Sequence, residues 1–146
     1  MKQVARSAIV EHSTAEMYAL VEDIEAYPRF LPWCVAATVH ERQGGRTKAT
    51  LTVGGSGLRQ SFTTQNENRP GEAIDMHLVE GPFRRFAAQW RFAPLSHACR
   101  IEFSMQYEFS SHELGRLLAP LFDGIADTMV DAFTRRGDEV YGNAKG

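Results

Sequence analysis

Cysteine is nearly missing from this chain: Cys34 and Cys99 stand far apart in 146 residues and outside any CxxC spacing. A disulfide framework or a thiolate zinc site needs more cysteines, set closer together. The two are therefore expected as reduced cytosolic thiols. Histidine gives no metal site either. The five histidines (12, 40, 77, 97 and 112) are scattered, with no HExxH and no His/Cys pair at ligand spacing. A GxSxG nucleophile elbow is also lacking. No apolar run reaches the length of a membrane span, and the opening MKQVARSAIVEH has no continuous apolar stretch of the kind a secretory signal carries. Neither sign of charge dominates, because 16 basic against 18 acidic residues leave a net charge of -2. Non-specific coating of nucleic acid needs a basic excess. Only a local basic patch is left as a nucleic-acid contact, and DNA is not an expected partner.

What is present reads as one ordinary globular domain over 1–146, with 43% hydrophobic and 23% charged residues. A strand with weak alternation is expected from Gln3 to Glu11. "STAE" follows, with Ser13 as N-cap and Glu16 three residues on, a capping box. The helix it opens carries Met17, Leu20, Val21 and Ile24 at helical spacing and should stop near Tyr27, since Pro28 comes next. The segment "AYPRFLPWC" at 26–34 then puts two prolines and three aromatics into a stretch that reads as loop. Loops are usually polar. Phe30, Leu31 and Trp33 here either plug the core or form a contact surface.

Beyond Cys34 the period changes to two. Val35, Ala37 and Val39 share one face, and Gly44-Gly45 supplies a hairpin turn to Ala49, Leu51 and Val53. The GGSG at 54–57 is a second turn, leading to a more polar strand from Leu58 to Gln65. After Pro70-Gly71 come Ile74, Met76 and Leu78, then Phe86, Ala88, Trp90 and Phe92. In the last strand Cys99, Ile101, Phe103, Met105, Tyr107 and Phe109 face one side, with Arg100, Glu102, Ser104, Gln106 and Glu108 on the other. An antiparallel sheet with one wet face requires this alternation. A capping box at Ser110 and Glu113 is expected to open a long helix, kinked at Pro120, with the stripe Leu114, Leu117, Leu118, Leu121, Phe122, Ile125, Met129, Ala132 and Phe133. A sheet with one apolar face must bury it, and this helix is the partner.

Little in this pattern is catalytic. The GGSG lies between two strands, which suits a hairpin better than a phosphate loop, and Asp75 and His77 share the polar face of their strand. Tyr107 and the strand-end histidines are the sole candidates for an acid–base group. The Arg84-Arg85 and Arg135-Arg136 pairs read as solvated, or as contacts to RNA phosphate or anionic lipid.

"VEDIEAYPRFLPWC" at 21–34, "GLRQSFTT" at 57–64, "LVEGPFRRFAAQWRF" at 78–92 and "MVDAF" at 129–133 together resemble the RatA and coenzyme Q-binding protein family of the START-like (polyketide cyclase/dehydrase-like) superfamily. The resemblance covers essentially the whole chain. It implies an α+β helix-grip fold, a curved antiparallel sheet around a long C-terminal helix with a deep apolar cavity between. It implies a hydrophobic ligand, ubiquinone or a related polyisoprenoid, and a non-catalytic carrier or chaperone role in respiration. For some bacterial members it implies a toxin that binds the large ribosomal subunit and blocks subunit association. A cyclase-like enzyme is the third reading. No cofactor or metal is expected apart from the lipid. The residues expected to hold it are Phe30, Leu31 and Trp33 at the mouth; Phe83, Phe86, Trp90, Met105 and Tyr107 from the sheet; and Leu117, Leu121, Phe122, Ile125 and Met129 from the helix. Trp33 is expected to be partly exposed without ligand. The expected location is cytoplasmic, with transient peripheral contact at the inner membrane.

Overall fold

A computed structural model describes residues 1–55 and 57–142. In chain order the elements are β1 (Lys2–Val10), α1 (Thr14–Glu22), a 3-10 helix (Ile24–Arg29), β2 (Cys34–Gln43), β3 (Arg46–Gly55), β4 (Leu58–Arg69), β5 (Ala73–Glu80), β6 (Phe83–Leu95), β7 (Ala98–Phe109) and α2 (His112–Tyr141). The seven strands form one sheet in the order β1-β7-β6-β5-β4-β3-β2. Strands β2 to β7 are a meander, and β1 pairs antiparallel with β7 at the far edge.

Alternation sets the two faces of the sheet. Cys99, Ile101, Phe103, Met105 and Tyr107 of β7 are all buried, and across the ladder they meet Phe86, Ala88, Trp90 and Phe92 of β6. Extra residues interrupt the ladders at Val35, His40, Val79 and Arg84. Such bulges bend and twist a strand, which curves the sheet around its apolar face. Of the GGSG turn, Gly54 and Gly55 close β3, Gly57 has a φ of 83°, and Ser56 lies outside the described residues. A Cβ on Gly54 would sit 2.9 Å from the Leu58 carbonyl oxygen, so this corner is closed to larger residues.

The capping box of α1 forms as the sequence predicts: the Ser13 hydroxyl accepts from Glu16 N–H at 3.1 Å, and Ser13 N–H donates to the Glu16 carboxylate at 2.9 Å. At α2 the expectation fails by one residue. Ser110 N–H is bound to the Pro82 carbonyl, and Ser111 takes the N-cap, its hydroxyl accepting from Leu114 N–H at 3.1 Å. Glu113 is therefore one position too early to complete a box. The 30-residue helix runs through Pro120, whose ring lies on the exposed side. It seals the inner face of the sheet with Leu118, Phe122, Ile125, Ala126, Val130 and Phe133. Ion pairs Lys2–Asp123 (3.6 Å) and Arg6–Asp127 (2.7 Å) tie it to β1. Near its end a Cβ on Gly137 would lie 3.0 Å from the His12 ring, so glycine lets α2 close on the start of α1.

Candidate functional site

The apolar 26–34 segment is a structured plug. Residues 24–29 form a separate 3-10 helix, where the sequence predicts the first helix up to about Tyr27 and loop from there, and Leu31 N–H donates to the Tyr27 carbonyl at 2.9 Å just beyond it. Pro28 lies inside this helix, where its fixed φ suits a tight helical turn. Cys34 N–H donates to the Leu31 carbonyl, and Gly54 N–H to the Trp33 carbonyl, both at 2.9 Å. These bonds fold the segment inward, which leaves Leu31 1% exposed and Trp33 8% exposed. The expectation of a partly exposed Trp33 is thus corrected. Phe30 stays half-buried, edge-on to Tyr27 and Phe133, with the Arg136 guanidinium 5.0 Å from its ring centre.

Beneath the plug lies a small cavity of about 40 Å³ between α2 and the sheet. It has room for a few water molecules; a void of about 150 Å³ is the size that admits benzene. The deep cavity implied by the resemblance is therefore almost closed here. Large rings fill it: Trp90 packs on Phe103 and Phe133 with centroids 5.0 and 5.1 Å away. The remaining space is lined by flexible thioethers as well as rings, with the half-buried Met76 of β5 and Met129 of α2 among them.

Seven of the residues expected around a ligand surround this space: Trp33, Phe86, Trp90, Met105, Phe122, Ile125 and Met129. Phe83 and Tyr107 belong instead to an aromatic cluster beside it, 5.3 and 5.8 Å from the Phe122 ring. Leu31 is core, and Leu121 is half-buried near Gly55. Leu117 is 56% exposed and does not line the cavity. It stands one helical position off the buried Leu118, just past the edge of the stripe. Lining residues not foreseen are Tyr27, Leu51, Val53, Phe62, Met76, Ala88 and Phe103. All but Tyr27 and Phe62 sit on apolar faces that the alternation had marked. Phe62 was hidden in a strand that reads as polar.

The polar groups near the site are largely satisfied by one another. The Tyr27 hydroxyl donates to the Val21 carbonyl, and burial keeps it protonated far above the ordinary tyrosine range. Burial first, and Asp123 second, push the Tyr107 hydroxyl up to about 12; it lies 3.5 Å from that carboxylate. Burial likewise pushes the Cys34 thiol up to about 11. Both cysteines are free and buried. Among the described residues, Trp33 Nε1 is the buried side-chain nitrogen or oxygen left without a hydrogen-bond partner. An unmade bond of this kind costs about 1–3 kcal/mol.

The four arginines do not form one patch. Arg84 is paired with Glu108 at 2.7 Å, at the end of the sheet where Phe83 meets Phe122. Arg136 is stacked on Phe30. The stretch of α2 from Phe122 to Arg135 is roughly 20 Å long, at about 1.5 Å per residue.

A curved antiparallel sheet gripping one long C-terminal helix is the helix-grip fold of START-like proteins. A START superfamily protein from Mycobacterium smegmatis has this fold, with a TM-score of 0.79 at 22% identity over 94% of this chain and 98% of its own. The sequence narrows the class further: the model of the "Polyketide cyclase / dehydrase and lipid transport" family matches residues 10–134, and the chain belongs to that family. The ribosome association toxin RatA of Vibrio cholerae is 41% identical over 143 residues, 97% of this chain and 99% of that protein. The mitochondrial coenzyme Q-binding protein COQ10 homolog B of Xenopus laevis is 28% identical over 145 residues, 96% of this chain and 59% of that protein. Among the described residues no helix is long and apolar enough to cross a membrane.

Proposed function

We propose that the protein binds one hydrophobic small molecule, ubiquinone or a related polyisoprenoid lipid, between α2 and the sheet. On this reading it is a non-catalytic carrier or chaperone for that lipid, cytoplasmic and in transient contact with the inner membrane. The observation that carries the proposal is the apolar void itself. Protein cores are packed as densely as organic crystals, with few gaps larger than a water molecule. This one is larger, and rings and methionines surround it. Methionine side chains re-pack at low cost, so Met76 and Met129 are the residues expected to make room. The coenzyme Q-binding relative supports the choice of ligand class. A cyclase-like reaction finds less support, because the lining side chains include no carboxylate or histidine and Tyr107 lies outside them.

Thermal melts with decylubiquinone test the reading. A ligand bound only by the folded state raises stability by about 2.7 kcal/mol at a free concentration 100 times its Kd. For a chain of this size that is a rise in Tm on the order of 5–10 °C. A flat melting temperature up to the solubility limit of the quinone counts against it.

One finding favours a second reading, the 41% identity to a ribosome association toxin across nearly the whole chain. The arginine pairs lie at separate places, so each is tested by itself. Charge reversal of Arg84 and Arg85, and separately of Arg135 and Arg136, should abolish salt-sensitive co-sedimentation with large subunits in at least one of the two variants. Wild-type protein that never co-sediments at low salt removes this reading.

A further inference from the structure

The backbone at Trp33 is fixed from both sides. Its own carbonyl accepts from Gly54 N–H, and the next residue's N–H donates to the Leu31 carbonyl, each at 2.9 Å. Pro32 restricts the backbone just before it. The ring is 8% exposed and lines the cavity, yet its Nε1 is buried with no acceptor. Buried donors in native proteins are almost always satisfied. The neighbouring walls offer little to satisfy this one. Every other lining side chain is hydrocarbon or thioether apart from Tyr27, whose hydroxyl already donates to the Val21 carbonyl, and Trp90, whose indole N–H can only donate. A buried water is held well by about two to four polar partners, and Tyr27 and Trp90 are the other lining side chains with a nitrogen or oxygen.

We propose that Trp33 Nε1–H is the polar anchor of the cavity, donating to an uncharged oxygen acceptor, of the carbonyl type, on an otherwise apolar ligand. The inference rests on the reading of the cavity as a ligand site, and it narrows the ligand class. A pure hydrocarbon leaves the indole unpaired. An anionic head group fits no better, because no lysine or arginine lines the space to offset its desolvation. A quinone ring, whose carbonyl oxygens accept without carrying charge, satisfies the donor and keeps the rest of the contact apolar. The acceptor end of the ligand then sits beneath the plug, against the 3-10 helix side of the cavity.

The test compares decylubiquinone with decylbenzene, an oxygen-free probe of the same tail length. The chain has two tryptophans, so its ¹H–¹⁵N spectrum holds two indole N–H signals, assigned by Trp33→Phe and Trp90→Phe. Decylubiquinone should move the Trp33 indole proton downfield, and decylbenzene should not. Trp33→Phe removes the donor and also trims the ring. Ring loss weakens both probes alike, so the readout is the ratio of their affinities, expected to fall by up to about tenfold against the quinone. Should that variant fail to fold, the wild-type shift decides alone. If both probes bind, with no shift and an unchanged ratio, the anchor is wrong while the cavity remains a ligand site. An indole proton already downfield without ligand, and unmoved by either probe, means a bound water only and also overturns the anchor. If neither probe binds, the reading beneath it falls as well.

Discussion

Truncating two residues of α2 separates packed core from cavity wall. Leu118 is 3% exposed and does not line the void. Leu118→Ala leaves a hole in packed core and should cost about 2–5 kcal/mol. Met129 lines the void but is partly exposed. Its three heavy atoms beyond Cβ, at about 0.8 kcal/mol each when fully buried and mostly buried here, predict roughly 1.5–2 kcal/mol for Met129→Ala. The ranking reverses for ligand. Met129→Ala enlarges an existing space, so added decylubiquinone should restore more of its stability than that of the wild type. Leu118→Ala should recover little, because the lost side chain does not line the void. Urea unfolding followed by far-ultraviolet circular dichroism reads both costs as shifts in midpoint at constant slope. Equal losses for the two variants, with equal recovery on adding quinone, would refute the distinction between core and wall.

Alkaline unfolding should set in as the pH rises above about 10, where exposed tyrosines titrate. With Tyr107 raised to about 12 in the folded state, the native protein holds a proton that the unfolded chain releases near pH 10. Stability therefore falls between about pH 10 and 12, by on the order of 2–3 kcal/mol from this group. Tyr107→Phe should move the alkaline midpoint upward, and an unchanged midpoint in urea-assisted titrations contradicts the assignment. Cys34 and Cys99 are buried, with thiols raised by burial, so Ellman's reagent should label neither at pH 8 until denaturant is added. Rapid labelling of the native protein would mean that the plug opens far more often than the packing implies. Gly137→Ala gains up to about 1 kcal/mol of helix propensity but forces a methyl to 3.0 Å from His12 and 3.1 Å from the Met17 sulfur. The net effect should be a lower Tm, and a rise would show that α2 and α1 can separate freely at that end.

The strands and helices were legible because each has one wet and one dry side. The alternation from Cys99 to Tyr107 and the spacing of Phe122, Ile125 and Phe133 record which side chains meet, and the structure buries all of them. What sequence spacing could not show is where neighbours end. Leu117 looks like Leu118 in a row of leucines, but the edge of the stripe falls between them. Ser110 and Ser111 are equally good caps, and the choice was made by the Pro82 carbonyl, distant in sequence, which claims Ser110 N–H. The plug was misread for the same reason. Its exposure depends on bonds to Gly54 and on the Phe133 ring across the core, contacts that no local pattern encodes. The size of the cavity is the extreme case. Identical alternation describes an open pocket and a closed one, and the difference lies in how far the Trp90 and Phe103 rings reach.

The central claim is that the space between α2 and the sheet belongs to a lipid. Native mass spectrometry of protein purified from its host without detergent tests this most directly. The account predicts a population carrying one added mass, released on activation as a single polyisoprenoid or quinone and displaced by excess decylubiquinone. Protein that arrives wholly unliganded, and that gains no mass when decylubiquinone is added, would contradict it.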